Sequence, residues 1–235
     1  GYTPEEIKEI CKEKYKKILK IRKKVLCQMA INFLLHKETR VEGIIDGKLV
    51  ENFINEAAKE KGKNIIADFK EKQLAIATVD TISMKECLFI SNEIKDKDEN
   101  IEYITDINIG KAVRSSMAFP AIFTTSNYEK YNFIDGGTVD NLPVQVLKDM
   151  GATKTIAISF DLNKYTPSRS LEGVLVRALD IFSHSGVENA RKLADIAIEI
   201  YNPDTSLLSM DEIEKTIENG YNAVMEQREK ITEEI

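Results

Sequence analysis

Apolar residues at Ile7, Ile10, Cys11, Tyr15, Ile18 and Leu19 recur at helical spacing, and Thr3-Pro4-Glu5-Glu6 just before them has the form of a capping box. A helix is therefore predicted almost from residue 1. A second helical pattern runs near Val25 to Leu35 and a third from Leu49 to Lys61, with Gly43 to Gly47 as the turn before it and Gly62 as its stop. The spacing then changes. Gln73 to Val79 and Glu86 to Ser91 are short apolar, β-branched runs that read as adjacent strands, and the charged stretch Lys95 to Asn100 reads as an exposed loop or hairpin. Ile109 to Ser116 resembles a short helix that ends before Phe119-Pro120, because proline disfavours helix in the residue ahead of it.

The next segment alternates strand and helix. Tyr131 to Ile134 is a strand, Gly136-Gly137 a turn, Pro143 to Met150 a helix closed by Gly151, and Thr155 to Phe160 a strand. That last run scarcely alternates, which predicts burial on both faces of a sheet. Strand, loop, helix, strand is the pattern of an α/β fold. Leu171 to Leu193 is mostly helical and Ile196 to Tyr201 is another strand; Ser209 with Glu212 makes a capping box for a final helix to about Ile231. No internal repeat and no low-complexity linker interrupts this order, so residues 1–235 are expected to form a single α/β domain.

Composition narrows the function classes. Lysine and arginine are interspersed with acids and the net charge is only -6, so there is no basic stripe for nucleic acid. The densest basic run, Lys12 to Lys24, is either a solvated helix face or a contact with anionic lipid headgroups. Cys11, Cys27 and Cys87 lack metal spacing and a Cys-x-x-Cys pair; they read as reduced, mostly core thiols, which favours a cytoplasmic setting. No run of about 18 apolar residues is present, so no membrane span is encoded. Heavy use of Lys, Ile, Glu and Asn hints at an AT-rich microbial genome.

Candidate chemistry centres on Asp135. It follows an apolar strand and precedes two glycines, where backbone can turn sharply and pack closely. Burial there would oppose ionisation and backbone donors would favour it. The two histidines offer less. Ser183 and His184 are neighbours on a helix and point apart, and His36 reads as a charge partner at a helix C-terminus. Ser115 and Ser116 read as local packing, whereas Arg114 has the chemistry to pair with a carboxylate or approach a phosphate. Asp161 ends a strand at the edge where α/β sheets bind ligands. No cluster of His, Cys, Asp and Glu has metal spacing, and no cofactor is expected.

The stretch Ala112-Val113-Arg114-Ser115-Ser116-Met117-Ala118-Phe119-Pro120, then Phe133-Ile134-Asp135-Gly136-Gly137, then Asn141-Leu142-Pro143 and the strand to Phe160 resembles the second half of the patatin-like phospholipases, a group of serine lipid acyl hydrolases. Gly1-Tyr2-Thr3-Pro4-Glu5-Glu6, Ile76-Ala77-Thr78-Val79-Asp80 and Ile200-Tyr201-Asn202-Pro203 agree with it, so the likeness spans nearly the whole chain. It implies a three-layer patatin-like α/β sheet flanked by helices. It also implies that Asp135 is the general base of a Ser-Asp dyad, with Gly136 and Gly137 as the turn supporting it, and a lipid or other ester as substrate, reached through transient contact with a membrane surface.

The pattern departs from the family in one respect. None of the eleven glycines begins a Gly-x-Ser-x-Gly elbow, and no Asp-Gly-Gly-Gly loop is present. The chain thus reads as the portion C-terminal to the nucleophile, with a fold incomplete at the N-terminus and inactive by itself. The missing strand, elbow, helix and oxyanion loop need on the order of 40 to 60 residues, and that N-terminal segment of the same protein is the partner expected for stable folding. The alternative is a non-catalytic patatin-like module that binds lipid or protein through the same cleft.

Overall fold

The computed structural model describes residues 1–18, 31, 32, 35, 43–161, 171–202 and 213–234. The predicted helix at Val25 to Leu35 apart from Ile31, Asn32 and Leu35, residues 19–24 of the basic run, Cys27, His36 and the Ser209/Glu212 capping box lie outside the described residues. The remainder is α/β and gathers into two units, Gly1–Glu93 with Lys97–Gly136, and Ile94–Asp96 with Gly137–Ile235.

The first unit begins with helix α1, Pro4–Ile18. Its capping box forms as predicted: the Thr3 hydroxyl accepts the Glu6 N–H at 3.2 Å and the Glu6 carboxylate accepts the Thr3 N–H at 2.7 Å. Helix α2, Lys48–Glu60, ends where Gly62 adopts φ 69°. There the Lys63 and Gly62 N–H groups return to the carbonyls of Ala58 and Lys59, the double closure that a left-handed glycine permits. Gly43 to Gly47, expected as a turn, holds a short strand, β1 (Gly43–Ile45), before the turn at Asp46-Gly47. It pairs in parallel with a strand at Ala121–Phe123. Three residues bracketed by glycines carry too little local signal, and the partner that makes them a strand is far along the chain.

A five-stranded mixed sheet supplies the frame of this unit. Its strands are β2 (Ala75–Asp80), β3 (Glu86–Ile90), β4 (Ile101–Ile104), β6 (Ser126–Tyr128) and β7 (Tyr131–Asp135), with β5 being the Ala121–Phe123 strand already met. The order is β4-β3-β2-β7-β6. The predicted pair β2 and β3 is adjacent and antiparallel, and β7 lies antiparallel on the other side of β2. Helix α3 (Ile109–Ser116) packs on β2, β7 and α2. It comes close to α2 because Gly110 has no side chain: a Cβ there would overlap the Glu51 carbonyl, and its N–H donates to Asn55 at 2.8 Å. Between sheet and helices lie Ile66, Cys87, Phe89, Ile107, Ile109, Ala112 and Phe133. The Phe89 and Phe133 rings meet edge to face at 5.3 Å. Burial pushes the Cys87 thiol up to about 11, which keeps it an inert core group.

Asp80 fastens one end of this sheet. Only 2% of it is exposed. One carboxylate oxygen accepts the Ser83 N–H and hydroxyl at 2.9 and 2.7 Å, and the other accepts the Asn132 N–H of β7 at 2.9 Å. Burial alone would raise its pKa. The donors from Asn132 and Ser83 outweigh it and hold the group below the ordinary carboxylate value.

In the second unit, α4 (Val144–Asp149) stops at Gly151, φ 95°, with the same double closure seen at Gly62. Strands β8 (Ile156–Phe160) and β9 (Ile196–Ile200) are parallel neighbours joined through α5 (Leu171–Leu193). The Asp195 carboxylate, accepting the Thr155 N–H and hydroxyl at 2.9 and 2.8 Å, ties together the residues that precede the two strands. Leu142, Val144, Ala157 and Val187 form the core on one face. The other face of β8 corrects the expectation of two-sided burial: Ile158 is 52% and Phe160 55% exposed. A helix at Ile213–Glu226, α6, lies against β9. The predicted final helix is two, because the chain turns at Gln227 before α7 (Arg228–Glu234).

Asp80 gives a pH test. Its folded-state pKa lies below the unfolded value, so its contribution is complete above the ordinary carboxylate range and is lost as pH falls through the folded value. Urea titrations at pH 7 should find Asp80→Asn about 2 kcal/mol less stable than the parent. Towards pH 3 the gap between the two should narrow, and a gap independent of pH would refute the assignment.

Candidate active site

Asp135 is the last residue of β7 and is half-buried. Its Cα partner across the sheet is Thr78, in the middle of β2. The peptide that joins Ile134 to Asp135 is bonded at both ends: the Thr78 hydroxyl donates to the Ile134 carbonyl at 2.7 Å, and the Asp135 N–H donates to the Ala118 carbonyl at 3.1 Å. This second bond joins the two sequence blocks singled out above, Ala112 to Pro120 and Phe133 to Gly137.

Immediately after Asp135 the chain makes a single 3-10 turn, Gly136–Thr138. Gly136 is buried against β2, where an added Cβ would overlap the Ala77 carbonyl group. Its backbone is not in the left-handed region, so close approach to β2 is the property that requires glycine here. Asp135, Gly137 and Thr138 each have an interaction partner.

Arg114 has a structural position. It is 3% exposed, and its guanidinium donates from Nε to the Asp46 carbonyl at 2.8 Å and from Nη2 to the Thr124 carbonyl and hydroxyl at 2.7 and 2.9 Å. The group lies 5.6 Å from the Phe123 ring centre, and Gly47, φ 70°, leaves the space that its stem fills. Desolvation lowers its pKa from the usual arginine value. Arg114 thereby fastens α3 to the turn before α2 and to the residue after β5; among the described residues it forms no ion pair with a carboxylate, and its Nη1 is buried without a hydrogen-bond partner. Ser115 is fully buried, bonded to the Lys111 carbonyl at 2.9 Å and to the Ser126 hydroxyl at 2.8 Å, which fits the packing role expected of it.

In the second unit Ser183 faces inwards and bonds to the Asp180 carbonyl at 3.3 Å, while His184 is exposed, so the two do not pair. Asp161 follows β8, its N–H donating to the Ile200 carbonyl at 3.0 Å. An open cavity of about 370 Å³ between α4 and α5 is lined by Asp140, Gln145 and Asn189 among others, and burial raises the Asp140 carboxyl above the ordinary range. Among the described residues no group of three or more His, Cys, Asp or Glu side chains could hold a metal ion, and no helix is long and apolar enough to cross a membrane.

A family model described as Patatin-like phospholipase matches residues 1–148, more than half of the chain. The chain belongs to the patatin-like phospholipase family. The matched region contains α1 to α3, α4 up to its last residue and the whole five-stranded sheet, and it includes Asp135, Gly136, Gly137 and Asn141-Leu142-Pro143. Membership of the patatin-like phospholipases places the protein among lipid acyl hydrolases, with lipid as its class of substrate. The sequence points to Asp135 and its glycines but not to Thr78, whose hydroxyl bonds the Ile134 carbonyl. A lone hydroxyl in the apolar run Ala75-Ile76-Ala77-Thr78-Val79 was the available signal.

Two substitutions check this geometry. Gly136→Ala forces a methyl into the Ala77 backbone and should cost about 2 to 3 kcal/mol in denaturant unfolding. Arg114→Lys keeps the charge but cannot span Asp46 and Thr124, and it should lower stability by about 2 kcal/mol in the same assay.

Proposed function

We propose that the protein hydrolyses carboxylic ester bonds of lipids, in the manner of a phospholipase A, through a Ser-Asp dyad in which Asp135 is the general base. The observation that carries this reading is the place of Asp135: half-buried at the end of an inner strand, before a glycine packed on backbone, inside the region that matches the lipid hydrolase family. The 235 residues contain no Gly-x-Ser-x-Gly elbow. The nucleophile is therefore assigned to chain outside them. The uncovered apolar face of β8 supports a sheet that takes up further chain.

The chemistry needs two groups and one water. As the serine Oγ attacks the ester carbonyl, its proton passes to the Asp135 carboxylate, and the oxygen of the alcohol leaves with that proton. An acyl-serine remains. Asp135 then takes a proton from water, whose oxygen attacks the acyl carbon, and the proton returns to serine Oγ as the fatty acid departs. No histidine is invoked: His184 is exposed on α5. Contact with a membrane surface is transient on this reading, because the substrate is amphipathic.

The test uses the full-length protein and a short-chain ester. Asp135→Asn removes the base and keeps the shape, and turnover should fall by at least about 10³-fold with unfolding unchanged, in line with the loss of a dyad member. A fluorophosphonate probe should add one adduct to an elbow serine in the parent. Undiminished turnover in Asp135→Asn would sink the proposal. A natural protein without a labelled serine would instead favour a lipid-binding module on the same fold.

A further inference from the structure

We infer that Thr78 is the positioning residue for Asp135, and this rests on the reading of Asp135 as the base. Thr78 is fully buried in the middle of β2, with Cys87 as its Cα partner in β3 and Asp135 in β7. At such a place valine would fill the same space without taking a hydroxyl out of water, an exchange that costs free energy unless the hydroxyl is bonded. Here the hydroxyl is bonded, and its acceptor is the Ile134 carbonyl at 2.7 Å.

That carbonyl and the Asp135 N–H belong to one planar peptide unit. Thr78 holds the oxygen end and the Ala118 carbonyl holds the nitrogen end. A planar group held at both ends cannot rock about the chain direction, so the bond from the Asp135 Cα to its side chain keeps one orientation. The next peptide is held too, because Gly136 lies against the Ala77 backbone beside Thr78. Three successive positions, Ile134 to Gly136, are thus referred to two neighbouring residues of β2. Thr78 acts on the carboxylate through this peptide and does not itself meet substrate. A misplacement of about 1 Å at a reacting group is enough to cost on the order of 10²-fold in rate.

The experiment compares Thr78→Val and Thr78→Ser in the full-length protein, by turnover of a short-chain ester and by hydrogen exchange at the Asp135 amide. In Thr78→Val, kcat should fall about 10-fold while KM stays within about twofold, the pattern of a group misaligned in the transition state. Exchange at the Asp135 amide should quicken about 10-fold while the core amides of β3 keep their protection. Thr78→Ser restores the hydroxyl and should restore both. If valine fails to pack, Thr78→Ala gives the same comparison. Parent-like kcat and exchange in Thr78→Val would overturn the inference, as would a loss that serine does not rescue. Turnover surviving in Asp135→Asn would remove the catalytic reading alone, because the exchange measurement still reads the grip of Thr78 on the peptide.

Discussion

The antiparallel contact of β2 with β7 is the constraint on which the candidate site depends. Three residue pairs, from Thr78 with Asp135 to Asp80 with Phe133, define it, and both ends have a reinforcement outside the ladder. At one end the Asp80 carboxylate bonds the Asn132 N–H; at the other the Thr78 hydroxyl bonds the Ile134 carbonyl and Gly136 closes on Ala77. Without that contact Asp135 is a carboxylate on a loop. With it, Asp135 stands at the end of an inner strand with neighbours on both sides, since β6 continues the sheet beyond β7.

The helices serve the same contact from one side. Helix α3 packs on both β2 and β7, and the backbone that leaves it supplies the Ala118 carbonyl to Asp135. Its own seat is set by Gly110 against α2 and by the Arg114 guanidinium bonded to Asp46 and Thr124. An arginine with three such bonds and an aromatic ring beside it is a mechanical part of the fold.

What was legible in the sequence is what short-range chemistry decides. The Thr3/Glu6 capping box, the helix stops at Gly62 and Gly151, the β2 and β3 neighbours and the strand leading into Asp135 each rest on residues a few positions apart, and each is found where it was read. What was not legible depends on distant partners. β1 reads as a turn because its partner lies nearly eighty residues away, at Ala121 to Phe123. β8 was read as buried on both faces because an apolar run of that kind does not reveal whether a helix covers each side, and α6 lies on β9 instead. The bond of Thr78 is not legible because one threonine among apolar neighbours says nothing about the carbonyl it will meet.

The distance along the chain has a further consequence, for the order in which the protein is made ready. Thr78 and Ile134 are 56 residues apart. Closing a loop of that length has an entropic cost that must be met before the pair can reward it, whereas β2 and β3 meet through a tight turn at Thr81 to Lys85. The hairpin of β2 and β3 is therefore a template that waits for β7. A chain still emerging or partly folded can carry every residue of the corner and yet hold no oriented carboxylate, so competence arrives with the last long-range contact and not before it.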